Sequence, residues 1–243
     1  MVMISMKKKV LVTGSTQGIG KEIAAQFVKA GYDVIVHCSA DIDKANTIKD
    51  EIGAYSAVTA DLSKLDEIKA LYGKTGPVDC LILNASVQYK QHWTEITEAA
   101  IDRQFTVNFK STLLLIQDYY PSMKQNGFGR IVTIGSVNQY RQHPELSMYA
   151  ATKCAVMSMV KNIAKQVAPF GITVNNVAPG AIATPRNAAI YNDDEKRRQV
   201  EAAIPMGRFG TPTDCAGAVL MLCSPEGSYI TGADIIIDGG MRL

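Results

Sequence analysis

A doubly wound α/β fold, a seven-stranded parallel sheet with helices on both faces, is the class this sequence predicts, and three observations predict it. Short β-branched runs alternate with longer segments of helical period. Several of those runs are almost continuously apolar, as strands buried on both faces must be. The irregular stretches 85–93, 135–148 and 179–204 each begin just past the carboxyl end of a proposed strand, where open α/β sheets bind their ligands.

The strands are expected at 9–13, 33–38, 55–60, 80–84, 130–134, 173–178 and 234–238. Between the first two, Ile23, Phe27 and Ala30 recur at three-to-four spacing and Gly31 supplies a stop, so a helix is expected over 19–30 and should pack on the sheet. Long helices are expected from Ile101 and from Met148. No Pro/Ser-rich linker, low-complexity tract or fixed repeat interrupts the alternation, which predicts one domain over 1–243. The longest irregular stretch carries a helical pattern over 192–203, and 185–205 is expected to act as a substrate lid.

Composition narrows the function. With 47% apolar and 20% charged residues the chain is globular rather than disordered. Its 25 basic residues are dispersed among 23 acidic ones, for a net charge of +2, which argues against nucleic acid as a partner. The basic run Lys7-Lys8-Lys9 precedes the first strand and reads as a solvated edge. Five cysteines without Cys-x-x-Cys spacing read as reduced, mostly buried thiols, and three dispersed histidines suggest no metal in catalysis. Met1 to Met6 is too short for a signal-peptide core, and no apolar run approaches the roughly 20 residues of a membrane span, so no membrane association and a cytoplasmic location are expected.

The first strand runs into Thr13-Gly14-Ser15-Thr16-Gln17-Gly18-Ile19-Gly20, and a helix starts at once. Gly14 permits a tight turn, Gly18 lets backbone approach a pyrophosphate, and Gly20 lets helix and strand touch. The helix N-terminus offers free N–H groups and a positive dipole to the phosphates. Glycine-rich turns of this kind also occur for steric reasons alone, so the later elements decide. Read with them, Thr13-Gly-x-x-x-Gly-x-Gly20 resembles the cofactor loop of the classical short-chain dehydrogenase/reductase family, whose fold is of the Rossmann type, and the resemblance runs from Val10 to Gly240.

That resemblance implies a nicotinamide dinucleotide held by Gly14, Ser15, Gln17, Gly18, Ile19 and Gly20, by Asp61 and Leu62 at the adenine, and by Asn84 and Ala85. Asn84-Ala85-Ser86 resembles the family's Asn-Ala-Gly, with serine in the third position. After the sixth strand, Pro179-Gly180 with Ile182 and Thr184 resembles the segment that meets the nicotinamide carboxamide, Ile182 through its backbone and Thr184 through its hydroxyl.

Tyr149 and Lys153 stand four residues apart on a predicted helix, so both side chains reach one ligand. Tyr120 and Lys124 repeat the spacing, and context separates the pairs: thirteen residues before Tyr149 stands Ser136 at a strand end, whereas thirteen before Tyr120 stands Val107. Tyr120 and Lys124 read as part of a helix ending near Gly127. With Asn108, the first pair reproduces the family's Asn, Ser, Tyr, Lys tetrad in chain order. Reducing a carbonyl builds negative charge on oxygen, so a donor beside it lowers the barrier. Tyr149 fills that role, and free tyrosine titrates near 10, so the Lys153 cation is expected to bring its phenolate within reach. The family implies further that Lys153 bonds the nicotinamide ribose, Ser136 the substrate oxygen, and Asn108 a relay water.

A serine hydrolase would need Gly-x-Ser-x-Gly, and neither Ser15 nor Ser136 sits in one. A catalytically idle cofactor-binding regulator is the other class, and the intact tetrad argues against it. Substrate-loop polar residues, among them Gln88, Asn138, Gln139, Gln142, His143, Arg186 and Asn187, suit a small hydroxyl-rich or anionic carbonyl or alcohol, with Gln88, Asn138 and Arg186 as the substrate contacts; a 3-oxoacyl carrier-protein reductase is the alternative. At the end of the second strand, His37-Cys38-Ser39 lacks the carboxylate that would repel a 2′-phosphate. Ser39 can donate to that phosphate and Lys44 lies close in sequence, so NADP(H) is expected to be preferred, with NAD(H) possible. Apolar residues on several helix faces, such as Leu113 to Ile116, predict a homotetramer.

Overall fold

In a computed structural model of the protein, residues 7–243 are described. The reading of Met1 to Met6 lies outside them. Strand β1 (Lys9–Val12) shows why the sheet is central, for Val10, Leu11 and Val12 are all fully buried although they point to alternate faces. The chain continues through α1 (Gly18–Lys29), β2 (Asp33–Cys38), α2 (Ile42–Ile52), β3 (Ser56–Thr59), α3 (Leu65–Thr75) and β4 (Cys80–Leu83). The second half is α4 (Glu98–Phe105), α5 (Ser111–Asn126), β5 (Gly129–Ile134), α6 (Ser147–Val167), β6 (Ile172–Pro179), α7 (Ala188–Tyr191), α8 (Asp194–Ala202), α9 (Pro212–Cys223) and β7 (Asp234–Ile237).

All seven strands pair in parallel, in the order β3-β2-β1-β4-β5-β6-β7. Chain order reverses between β1 and β4, which opens a crevice at their carboxyl ends. On one face α1 and α9 bring Ile23, Phe27, Val219 and Leu222 against Val10, Ile82 and Val132. On the other, α3, α5 and α6 bring Leu71, Leu115, Tyr119 and Val160 against Leu11, Leu81 and Ile131. Each large apolar side chain so buried contributes about 1.5–3 kcal/mol, which fixes the strand ends on which the site is built.

The expected strands are all present, with no end displaced by more than one residue. Thr13 and Asn84 leave their strands because their side chains bond each other's loops. The helix from Ile101 is not continuous: α4 and α5 are joined by a wider π turn over Thr106–Lys110, and Asn108 lies in it. The expected helix over 192–203 is α8, which Asp193 caps by accepting from the N–H groups of Glu195 and Lys196, and the short α7 precedes it. Four cysteines are buried and Cys154 is exposed. The lysine run is less solvated than its sequence implies, since the Lys8 ammonium sits 3.9 Å from the centre of the Phe128 ring and Lys9 stacks more loosely on Tyr55.

Candidate active site

A cleft of about 720 Å³ crosses the carboxyl ends of the strands and is lined by all three irregular stretches. Lys44, Lys90, Arg103, Arg141, Lys153 and Arg186 line it against a single carboxylate, Asp61. Such a field favours an anionic ligand.

At one end lies the glycine loop. Gly14 and Gly18 hold φ of +63° and +56°, a backbone conformation that side chains disfavour. The Asn84 carboxamide donates to the carbonyls of Thr13 and Gly14, both at 2.9 Å, while the Thr13 hydroxyl accepts from the N–H groups of Asn84 and Ala85 at 3.0 and 3.1 Å. A Cβ on Gly20 would fall 2.4 Å from both the Asn84 amide nitrogen and the Gly14 carbonyl oxygen. Gly20 is thus required by the Asn84 side chain, a closer constraint than the helix–strand contact expected. Gln17, which caps α1, makes no side-chain bond to the helix, and the first turn holds no acid. The leading N–H groups remain available to a pyrophosphate, so the residues present fit a dinucleotide.

Beneath this loop His37 is buried between two strands. Its Nδ1 accepts from the Gly14 N–H at 3.1 Å, which leaves Nε2 to donate to the Ala60 carbonyl at 3.1 Å. Burial takes the imidazole from 6.5 to about 4. Ser15 is also fully buried, its N–H donating to the His37 carbonyl and its hydroxyl accepting from the His37 N–H. It stands outside the cleft lining, as a strut between loop and β2. Asp61 accepts from the Ser63 N–H and hydroxyl; burial opposes its ionisation, but these bonds hold it below the ordinary value. Burial also pushes the Cys38 thiol up, yet the N–H groups of Asp41, Ala40 and Ser39 and the Thr16 hydroxyl outweigh it and draw it down. The carboxylate of Asp41, in the turn after β2, caps α2 by accepting from the Lys44 N–H at 2.8 Å.

At the other end, Tyr149 and Lys153 project from the first turns of α6 and Ser136 from the end of β5, all buried and all lining the cleft. Lys153 Nζ donates to the Ile134 carbonyl at 2.7 Å, and burial together with the Arg186 charge brings its ammonium down to about 7. Burial raises the Tyr149 phenol, and Arg186, Ser136 and Ser86 pull it back. Lys153 Nζ stands 5.5 Å from the centre of the Tyr149 ring, so Arg186 joins Lys153 as a second cation near the phenol, one that the sequence did not place there. Asn108 stands outside the cleft lining: its carboxamide accepts from the Val87 N–H and donates to the Val87 carbonyl and the Thr152 hydroxyl, tying α5's approach to the loop after β4.

Ser136 is held by Gln139, expected from the sequence only as a polar residue of the substrate loops, and through it by residues that the sequence did not single out. Its N–H donates to Gln139 Oε1 at 2.9 Å, and Gln139 Nε2 donates to Asp234 at 3.1 Å. Asp234 also accepts from Asn176 at 2.7 Å, and Asn176 accepts from Thr133 at 2.6 Å. Strands β5, β6 and β7 thereby brace one turn. A serine followed three residues later by glutamine is a capping-box signal present in the sequence; the Asp234 link, 95 residues away, had none.

The remaining expected residues, Gln17, Ile19, Ser39, Leu62, Ala85, Pro179, Gly180, Ile182 and Thr184 for the cofactor and Gln88, Asn138 and Arg186 for the substrate, all line this cleft. Arg186 Nη2 donates to the carbonyl and hydroxyl oxygens of Ser86 at 2.8 and 3.1 Å, across 100 residues of chain.

Comparison with known proteins decides the family. A family model described as enoyl-(acyl carrier protein) reductase matches residues 14–242. The 3-oxoacyl-[acyl-carrier-protein] reductase FabG of Staphylococcus aureus is 35% identical, covering 99% of this chain and all of the relative. The chain belongs to the short-chain dehydrogenase/reductase family. This short-chain dehydrogenase/reductase is an NAD(P)-dependent oxidoreductase. It superposes with a TM-score of 0.92 on a 3-oxoacyl (acyl-carrier-protein) reductase from Agrobacterium tumefaciens with NADP bound, 32% identical over 99% of this chain and 100% of that one. The TM-score is 0.90 against an enzyme from Beutenbergia cavernae assigned as an NAD(P)-dependent gluconate 5-dehydrogenase and bearing NADP, 33% identical over 98% of both chains.

Proposed function

We propose that this short-chain dehydrogenase/reductase is an NADP(H)-preferring enzyme that interconverts a small polar carbonyl compound, a sugar, a polyol-derived ketone or a keto acid, with its alcohol. The observation that carries the proposal is the convergence of Ser136, Tyr149 and Lys153 at one end of a cleft whose other end is the glycine loop. When bound, a reduced nicotinamide supplies hydride to the carbonyl carbon. Ser136 holds the carbonyl oxygen, Tyr149 gives it the phenolic proton, and Lys153 and Arg186 stabilise the phenolate left behind. Oxidation of the alcohol runs the proton the other way. Asn108 keeps the loop after β4 in register. Gly14, Gly18, Gly20 and the N-terminus of α1 would hold the pyrophosphate, Asp61 and Leu62 the adenine, and Pro179, Gly180, Ile182 and Thr184 the nicotinamide end.

The preference for NADP(H) is supported at the end of β2, where Ser39 and Lys44 line the cleft and Asp41 is occupied with its helix. The segment 185–205 serves as a lid on a single-domain cytoplasmic enzyme, assembled as a homotetramer. A second reading, reduction of a 3-oxoacyl carrier-protein thioester, is favoured by the identity to FabG. The test is kcat/KM for NADPH and NADH across a panel of sugars, keto acids, neutral ketones and 3-oxoacyl thioesters. Reduction of a small polar carbonyl with about a tenfold advantage for NADPH is expected. An advantage of about tenfold for NADH or exclusive use of thioesters overturns the corresponding part.

A further inference from the structure

The departure of Ser86 from the family's Asn-Ala-Gly has a structural consequence. Its hydroxyl and carbonyl accept from a single nitrogen of Arg186, which holds the guanidinium in the wall of the cleft that Ser86 and Tyr149 also line, where its charge lowers the phenol and the Lys153 ammonium alike. Arg186 Nε and Nη1 have no acceptor, and the residue is in no ion pair, among the described residues. The cleft wall beyond Tyr149 adds Lys90 and Arg141 and contains no carboxylate, since Asp61 lies at the other end after β3. A guanidinium fork with open donors, anchored by a serine and uncompensated by any acid, is the arrangement that receives a carboxylate.

We infer that the substrate of this site is an oxo acid, whose carboxylate is received by Arg186 beside Ser86 while its carbonyl oxygen meets Tyr149 and Ser136. The inference rests on the proposed carbonyl chemistry and deepens it. Because Ser136, Tyr149 and Arg186 line one end of the same cleft, a carboxylate about one or two carbons from the reacting carbonyl is the arrangement that meets all three. A 2- or 3-oxo acid, or the matching hydroxy acid, meets that spacing. A carrier-protein thioester offers no charge at this position.

The test compares short 2- and 3-oxo acids with their methyl esters as substrates, in the wild type, Arg186→Gln and Arg186→Lys. It also compares oxamate with neutral oxamide as ligands of the NADPH-loaded protein by calorimetry. The wild type should prefer acid over ester by about tenfold or more in kcat/KM; Arg186→Gln should reduce that preference to about threefold or less, and Arg186→Lys, which keeps charge but not the fork, should fall between. Oxamate should bind about tenfold tighter than oxamide, and only oxamate should weaken in Arg186→Gln. Reduction of neutral ketones and esters as readily as acids overturns the inference and leaves the proposed function standing. Equal loss on acid and ester in Arg186→Gln, with a displaced alkaline limb of the pH profile, also overturns it and makes Arg186 a positioning residue for Tyr149. Failure to reduce any carbonyl overturns the proposed function, and the oxamate measurement then still decides the inference.

Discussion

The two ends of the cleft are built differently. At the glycine loop, polar groups are spent on one another: Thr13 with Asn84 and Ala85, Asn84 with Gly14, and His37 with Gly14 and Ala60. Beyond Tyr149, Gln88, Lys90, Asn138, Arg141 and Gln142 line the wall without a side-chain hydrogen bond among the described residues. One end is rigid before any ligand arrives and therefore suits a common, invariant ligand; the other keeps its hydrogen-bonding capacity for the molecule that varies between enzymes of one fold. Ser136 is the boundary, braced like the first end yet facing the second.

The largest effect should come from the proton donor at that boundary. Tyr149→Phe removes the hydroxyl without changing the buried ring, so turnover should fall about a hundredfold or more, roughly 3 kcal/mol of barrier, while dinucleotide affinity measured by titration stays within about twofold. Turnover close to wild type in this variant would sink the mechanism. A parallel loss of cofactor affinity would show that the two ends are not separable as described.

Gly20→Ala attacks the rigid end alone. The added carbon lands on the Asn84 amide and the Gly14 carbonyl, so both the loop and its support must shift, at a cost of about 1–3 kcal/mol. Dinucleotide affinity should drop about tenfold or more, with oxamate affinity of the loaded enzyme little altered. His37 adds a pH signature. Its folded value of about 4 lies below the ordinary 6.5, so between these values the unfolded chain binds the extra proton. Stability is fully present above about 6.5 and is lost as pH falls toward 4. Denaturation in urea at pH 7 and pH 4.5 should show about 2–3 kcal/mol more loss in the wild type than in His37→Asn, which has no such titration. Equal losses would mean that His37 carries no such linkage.

The same contrast decides what could be read in advance. Strand positions were legible because β-branched apolar runs leave little choice, and the cofactor loop because glycine at Gly14 and Gly18 answers to backbone angles that few other residues adopt. The order Asn108, Ser136, Tyr149, Lys153 was legible as a pattern, but the division of labour was not. Nothing in a four-residue spacing reveals that Lys153 turns to the Ile134 carbonyl, that Arg186 is drawn to Ser86, or that the Asn108 carboxamide is consumed by Val87. Those outcomes depend on contacts 19 to 100 residues apart. In the sequence His37 reads only as a position without a carboxylate and as one of three dispersed histidines that suggest no metal, whereas its work is to accept a loop N–H.

The smallest expected effect tests whether Tyr-x-x-x-Lys spacing has any force outside the cleft. Tyr120 and Lys124 share that spacing with Tyr149 and Lys153, but they lie on α5 just before Gly127, which ends the helix with φ of +62°. There the Lys124 ammonium packs 4.3 Å from the centre of the Phe170 ring and more distantly over Tyr120, and Tyr120 meets Phe170 edge to face. Neither residue lines the cleft. The Tyr120 hydroxyl makes no hydrogen bond among the described residues, so Tyr120→Phe keeps the ring, the stacked cation and the edge contact. Stability should change by no more than about 0.5 kcal/mol, and kcat and KM should stay within about twofold of wild type. A loss of turnover near that of Tyr149→Phe would mean that chemistry extends beyond the cleft, and the division into a rigid and an open end would have to be redrawn around α5.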